Sequence, residues 1–155
     1  MTFKALLLAA GIGTRLRPLT NNIPKCLVEI GKKPILEIWL ENLSRAGCEA
    51  VLINTHYFSE KVEEYLQNKK FGEMKIITSY EPELLGTAGT LIKNAEFFLG
   101  KNCMFIHADN FTKDDLTDFL IAHENKPKNT ILTMLTFETD SPSNCGVVEI
   151  DNKNI

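Results

Sequence analysis

Apolar runs typical of strands alternate with helix-like segments along almost the whole chain, and this alternation limits the fold more than any other feature. The predicted strands cover residues 3–9, 49–54, 75–79, 103–107, 130–137 and 147–150. Apolar residues at helical spacing predict helices at 34–46, from Ser59 onward, at 87–99 and at 112–123. This order predicts an α/β fold with a mixed, mostly parallel sheet covered by helices on both faces. Ligands of such folds bind at the carboxyl ends of the strands.

Length and charge restrict the class of partner. The 155 residues fit one domain, 1–155, and they carry 17 basic and 20 acidic side chains for a net charge of −3. Proteins that bind nucleic acid by its backbone usually have a basic excess, so we expect no nucleic-acid partner. No apolar run approaches the roughly 18 residues that a membrane helix needs, so we expect no membrane partner either.

The cysteines indicate the compartment. Cys26, Cys48, Cys103 and Cys145 include no CxxC pair, so their spacing does not indicate a zinc site or a redox motif. We therefore expect reduced thiols in a cytoplasmic protein.

The first loop follows a predicted strand and contains two glycines, Gly11 and Gly13. Two glycines let the backbone turn tightly and present N–H groups to an anion, but by themselves they also fit an ordinary turn. Leu16 stands where the dinucleotide fingerprint GxGxxG has its third glycine. Arg15 and Lys25 add cations suited to a polyphosphate, and the alternative is that both are solvated loop charges. For the neighbouring Arg17 both interpretations stay open.

A longer pattern around this loop resembles a known family. Residues 7–20 read LLAAGIGTRLRPLT, and PKCL follows at 24–27. Together they closely resemble the signature GxGTRLxPLT…PKxL of the sugar-1-phosphate nucleotidyltransferases, with the mannose-1-phosphate and heptose-1-phosphate guanylyltransferases as the most similar branches. Matching segments continue at 54–57, 81–89, 108–110 and 145–149.

The resemblance implies a Rossmann-like three-layer sandwich and a reaction. A sugar 1-phosphate attacks the α-phosphorus of a nucleoside triphosphate, and pyrophosphate leaves. The attacking phosphate is largely dianionic at pH 7 and needs no general base, so catalysis must come from alignment and charge neutralisation. The resemblance assigns catalysis to three charged side chains and nucleotide binding to the loop around them: Arg15, Lys25 and Asp109 for catalysis; Ala10, Gly11, Gly13, Thr14 and Arg15 for the nucleotide.

Asp109 follows the fourth predicted strand and is the predicted metal ligand. Mg²⁺ prefers one or two carboxylates together with phosphate oxygens and water, and the resemblance places the metal between the phosphates. The alternative is that Asp109 or Asn110 caps the next helix, a role that Thr112 or Asp114 could also fill. The resemblance assigns sugar binding to Asn110 and Gly146.

The segment 81–89 follows the third predicted strand and is the predicted base pocket, with Glu81, Gly86 and Thr87 as nucleotide-binding residues by resemblance. A carboxylate only accepts hydrogen bonds, and guanine presents two adjacent donors, so Glu81 favours GTP as the substrate. Glu83 competes with Glu81 for this role.

The resemblance predicts an enzyme that supplies nucleotide sugars, such as polysaccharide precursors, and two other functions are compared with it. A non-catalytic domain that senses nucleotides or sugar phosphates is disfavoured because Arg15, Lys25 and Asp109 are all present. An unrelated dinucleotide-binding oxidoreductase is disfavoured by the missing third glycine.

The family's later Glu-Lys-Pro segment and second metal-binding Asp do not occur in the chain. We therefore expect a domain truncated on its C-terminal side that binds nucleotide and turns over poorly. An unfinished sheet edge would favour a homo-oligomer.

Overall fold

The computed structural model describes residues 2–144 and 146–148. Within them, four parallel strands form one sheet and two short strands form an antiparallel ribbon. The strands are β1 (Phe3–Leu8), β2 (Glu29–Ile30), β3 (Lys33–Pro34), β4 (Cys48–Thr55), β5 (Lys75–Tyr80) and β6 (Asn102–His107). The helices are α1 (Ile35–Arg45), α2 (Ser59–Leu66), α3 (Gly86–Lys93) and α4 (Leu116–Glu124). The sheet order is β5–β4–β1–β6, which confirms the predicted α/β class.

Alternating residues of the central strand β1 give the sheet a core on each face. Phe3, Ala5 and Leu7 face the larger core, to which α1, α2 and α4 contribute apolar side chains. Leu6 faces the smaller core with Leu52 of β4 and Phe98 of a 3₁₀ turn that follows α3. Helical segments therefore cover both faces, as the three-layer prediction requires.

The register of the sheet determines where the site lies. Leu8 at the end of β1 is opposite both Asn54 of β4 and His107 of β6, and Thr55 is opposite Tyr80 at the end of β5. Because the four strands are parallel, their carboxyl ends meet at one edge, and the loops that carry the predicted site residues begin there.

Two predicted helices differ in their bounds. The predicted helix 87–99 divides into α3 and a 3₁₀ turn at Ala95–Phe98, and the Asn94 side chain donates to the Thr90 carbonyl at the point of division. The predicted helix 112–123 begins only at Leu116, where the Asp115 carboxylate caps it by accepting from the Thr117 amide. Asp109 and Asn110 therefore do not cap α4.

The predicted strand 130–137 is wrong. These residues form no strand in the described structure, and Ile131 and Phe137 are 93% and 76% exposed. Residues 147 and 148 of the predicted strand 147–150 are not in a strand either, and residues 149 and 150 lie outside the described residues. An apolar run becomes a strand only where a neighbouring strand satisfies its backbone groups, and here no described strand pairs with it.

Helix α1 carries much of the larger core, and its central Leu40 is fully buried. We expect Leu40→Ala to lower the free energy of unfolding by about 2–5 kcal/mol, because the lost contacts leave a cavity that the neighbouring side chains fill only in part. Ile92→Ala in α3 is the matched control, because that side chain is 75% exposed. Its effect should stay within about 0.5 kcal/mol. Urea denaturation of both variants measures the difference, and similar losses would contradict the assigned core.

Within the described residues, no helix combines the length and the apolar character that crossing a bilayer requires.

Candidate active site at the carboxyl edge of the sheet

A cavity of about 230 Å³ lies at the edge where the parallel strands end. Its walls come from the ends of β1 and β4, the 3₁₀ turn at Lys25–Leu27, the segment between β5 and α3 with the start of α3, and the end of β6 with the residues after it. Seven predicted site residues line this one cavity: Ala10, Gly11, Lys25, Glu81, Gly86, Thr87 and Asp109. Residues distant in sequence therefore lie together at the carboxyl ends of the parallel strands, where ligands of such folds bind.

The other predicted site residues do not line the cavity: Gly13, Thr14, Arg15, Asn110 and Gly146. Arg15 lies in an exposed 3₁₀ turn at Thr14–Leu16, which begins three residues after the cavity-lining Gly11. Its guanidinium makes no hydrogen bond or ion pair with another residue of the described part of the chain. Asn110 directly follows the cavity-lining Asp109, and Gly146 is exposed.

Gly13 fits this loop for two reasons. Its φ of +70° lies in the left-handed region, which favours glycine, and a Cβ there would lie 3.0 Å from Thr20 Cγ2 and 3.1 Å from Lys25 Cβ. The buried Thr20 hydroxyl donates to the Gly13 carbonyl at 2.7 Å. The first loop is thus packed closely against the turn that carries Lys25.

Lys25 and Asp109 form an ion pair across the cavity, although 84 residues separate them. Burial alone would raise the pKa of the Asp109 carboxyl. The hydrogen bond and the charge of Lys25 outweigh burial and hold that pKa below its ordinary value. Asp109 is therefore ionised at neutral pH and available to a cation, while Lys25 carries the complementary charge for a phosphate.

A tryptophan of α1 anchors the loop that carries Asp109. The indole N–H of Trp39 donates to the carbonyl of Asn110 at 2.9 Å, and the ring is 6% exposed within the larger core. Helical spacing alone predicts Trp39 only as one of the apolar residues of α1. The structure shows that it also holds the loop after β6.

We expect Trp39→Phe to loosen this loop, since it removes the donor and leaves the Asn110 carbonyl without its partner. This hydrogen bond is only part-buried, so its loss should cost about 0.5–1.5 kcal/mol in unfolding free energy. Hydrogen exchange of the backbone amides of residues 109–111 should become faster. Tyr65→Phe is the control, because it removes a hydrogen bond from α2 to Glu37 of α1, the helix that carries Trp39. If both variants leave exchange at 109–111 unchanged, the anchoring role is wrong.

Glu81 lines the cavity but is fully buried, and other protein groups already donate to both of its carboxylate oxygens. Its assignment to the base edge stays a prediction. Glu83, the competing candidate, is exposed on the same loop and does not line the cavity.

Several cavity residues were not predicted as site residues: Leu8, Ala9, Cys26, Asn54, Leu84, His107 and Ala108. Their positions at strand ends, or beside Lys25 and Gly86, are the signal that could have identified them. Burial raises the pKa of the Cys26 thiol to about 12, so this side chain stays protonated and forms part of the wall.

No group of three or more His, Cys, Asp or Glu side chains that could hold a metal exists among residues 2–144 and 146–148. Asp109 offers a single ionised carboxylate. This donor set fits Mg²⁺ when phosphate oxygens and water complete its coordination, because Mg²⁺ usually keeps several waters.

The fold agrees with comparisons to known proteins. The chain matches the family of nucleotidyl transferases over residues 4–155. The chain belongs to this family. The resemblance to sugar-1-phosphate nucleotidyltransferases that the sequence carries is thereby confirmed.

Two curated relatives differ in the nucleotide they are named for. The mannose-1-phosphate guanylyltransferase catalytic subunit beta of Drosophila melanogaster is 39% identical over 158 residues, covering 96% of this chain and 40% of the relative. The UTP–glucose-1-phosphate uridylyltransferase of Synechocystis is 33% identical over 161 residues, covering 96% and 41%. This nucleotidyl transferase chain thus spans about two fifths of the length of these relatives.

Solved structures share the fold. HddC from Yersinia pseudotuberculosis superposes with a TM-score of 0.69 at 25% identity, covering 79% of this chain and 55% of that one. The CTP:phosphocholine cytidylyltransferase of Streptococcus pneumoniae gives a TM-score of 0.61 at 30% identity, covering 75% and 49%.

Proposed function

We propose that this chain provides the nucleotide-binding part of a sugar-1-phosphate nucleotidyltransferase that transfers GMP from GTP to a sugar 1-phosphate and releases pyrophosphate. The observation that carries the proposal is the single cavity in which Gly11, Lys25, Gly86 and Asp109 come together at the carboxyl edge of a parallel sheet. A phosphate-binding backbone, a cation and a carboxylate are the groups that this reaction requires.

The triphosphate is assigned to the first loop and its cations. Backbone N–H groups around Ala10 and Gly11 would hold phosphate oxygens, and Gly13 and Thr14 continue the same loop toward Arg15. Arg15 and Lys25 would neutralise the charge that moves to the leaving pyrophosphate. A sugar-phosphate oxygen forms the new bond to the α-phosphorus as the bond to the pyrophosphate oxygen breaks. Asn110 and Gly146 are proposed to bind the sugar.

Asp109 is the residue that would hold Mg²⁺. When bound, the metal supplies charge neutralisation at the phosphates. The Lys25–Asp109 pair brings the two groups into position before any ligand arrives. Because both charged groups are partly exposed, separating them costs little free energy. Lys25 could then pair with a phosphate of the nucleotide, and Asp109 could bind a cation.

The preference for GTP is supported by guanylyltransferase relatives, which include proteins of Drosophila, Danio rerio and Xenopus laevis at 35–39% identity. The uridylyltransferase relative makes UTP the competing nucleotide.

Binding and turnover measured on one sample test the proposal. Calorimetric titration with GTP, UTP, CTP and dTTP in the presence of Mg²⁺ identifies the nucleotide. Pyrophosphate release is then measured with a panel of sugar 1-phosphates. Preferential binding of GTP supports the proposal. Preferential binding of UTP would change the proposed nucleotide from GTP to UTP. No binding of any nucleotide contradicts the proposal. The alternative of a non-catalytic sensing domain predicts that nucleotide binds but that no sugar 1-phosphate causes pyrophosphate release.

A further inference from the structure

Three buried polar side chains form a network at the cavity wall: Asn54 at the end of β4, Glu81 after β5 and Thr90 in α3. Asn54 and Glu81 line the cavity, and Thr90 lies behind them. The Thr90 hydroxyl donates to Glu81 Oε1 at 2.6 Å. The Asn54 amide donates to the same oxygen at 3.1 Å and lies 3.2 Å from Thr90 Oγ1. The Leu85 backbone N–H donates to Glu81 Oε2 at 3.3 Å.

Both carboxylate oxygens of Glu81 therefore already accept hydrogen bonds within the protein. The carboxylate accepts from three donors, one of them on Oε2, and the residue has no exposed surface. Donors on both oxygens match a group that only accepts hydrogen bonds. For the carboxylate to face a base, it would have to leave these donors, and buried donors without partners are unfavourable.

The network joins three segments of the cavity wall. Asn54 Oδ1 accepts from the Ala9 backbone N–H at 2.7 Å, which fixes the end of β1 where the first loop begins. Glu81 holds Leu85, the residue before α3, and Thr90 Oγ1 lies 2.9 Å from the carbonyl of Gly86. Leu84, Gly86 and Thr87 line the cavity on this side. The network thus sets the position of both the phosphate loop and the 84–87 segment.

We propose that Glu81, Asn54 and Thr90 are positioning residues: they hold the main chain of residues 84–87 in the shape that accepts the nucleotide base, and this main chain contacts the base in place of the Glu81 carboxylate. The inference rests on the proposed function, since it assigns the base side of the same cavity. It departs from the base-edge role that the sequence predicts for Glu81.

Glu81→Gln separates the two roles. The amide keeps the shape but replaces one acceptor with a donor, so at least one of the Thr90, Asn54 and Leu85 donors loses its partner. If Glu81 is a positioning residue, affinities for GTP, UTP, CTP and dTTP should all fall by a similar factor, about tenfold. If Glu81 reads the base, affinity for GTP should fall relative to UTP and dTTP, and that shift in preference would overturn the inference.

Thr90 provides a second test on a residue that does not line the cavity. Thr90→Val keeps the branched shape and removes the hydroxyl, and we expect the same loss for all four nucleotides. Thr90→Ser restores the hydroxyl and should restore affinity to within about twofold of the unmodified protein. In the double variant Glu81→Gln with Thr90→Val, the factor by which nucleotide affinity falls should be smaller than the product of the two single factors, because both changes act on one network. Glu96→Gln, which changes an exposed carboxylate, is the control.

Hydrogen exchange of the ligand-free protein distinguishes a failure of this inference from a failure of the proposed function. The amide of Leu85 should exchange faster in Glu81→Gln and Thr90→Val than in Thr90→Ser or Glu96→Gln, while circular dichroism confirms that each variant is folded. Unchanged exchange at Leu85 overturns the positioning role, whether or not nucleotides bind. If no nucleotide binds the unmodified protein, the proposed function fails, and faster exchange at Leu85 still supports the network's hold on the loop.

Discussion

Replacement of Arg15 by alanine is expected to lower the rate of nucleotidyl transfer about 100- to 1000-fold, which corresponds to about 2.7–4 kcal/mol of transition-state stabilisation. The guanidinium is exposed, and it has no partner among the residues that the structure describes. It is therefore free to bind the triphosphate. The shape of the loop depends on Gly13 and Thr20, so the loss should appear in turnover and leave the fold intact.

Two other arginines make the Arg15 result specific. Arg17 lies two residues away in the same exposed loop, and Arg17→Ala should have a much smaller effect if Arg15 makes a defined phosphate contact. Equal losses in the two variants would show that only the total charge of the loop matters. Arg45 at the end of α1 serves as the remote control. Turnover by pyrophosphate release and stability by urea denaturation are measured for all three, and normal turnover by folded Arg15→Ala would contradict the assignment.

Asp109→Asn is expected to reduce turnover about 100-fold and to remove most of the effect of Mg²⁺ on nucleotide affinity. The amide keeps the shape but has no charge for the cation, and a metal supplies several kcal/mol of charge stabilisation in reactions of this type. The fold should tolerate the change, since the Lys25–Asp109 pair is partly exposed and contributes little to stability.

The Asp109 result is checked by titrating GTP at several Mg²⁺ concentrations, so that a readout other than turnover reports on the metal. Asp114→Asn is the matched control, because that carboxylate is exposed in the same loop and accepts from Thr112. If the affinity of Asp109→Asn for GTP still rises with Mg²⁺ as in the unmodified protein, another group holds the metal.

Local patterns in the sequence predict the fold class and half of the residues that line the cavity. Strand and helix patterns are local, because each depends on the spacing of apolar residues within a few turns or a few pleats. The parallel sheet then follows from their alternation, and the strand-end rule brings Gly11, Lys25, Gly86 and Asp109 to one edge. Seven predicted site residues meet there because topology alone fixes which loops are neighbours.

What each of these side chains faces depends on contacts that form only in the folded protein. Glu81 has the same local sequence whether it reads a base or is buried, and Asn54, 27 residues away, is one of its partners. The partner of Lys25 is 84 residues away, and Trp39 reaches Asn110 across 71 residues. The apolar run at 130–137 predicts a strand, but a strand requires a neighbouring backbone to bond with. Hydrogen bonding and burial bring together residues that are far apart in sequence, so no local sequence pattern can predict these contacts.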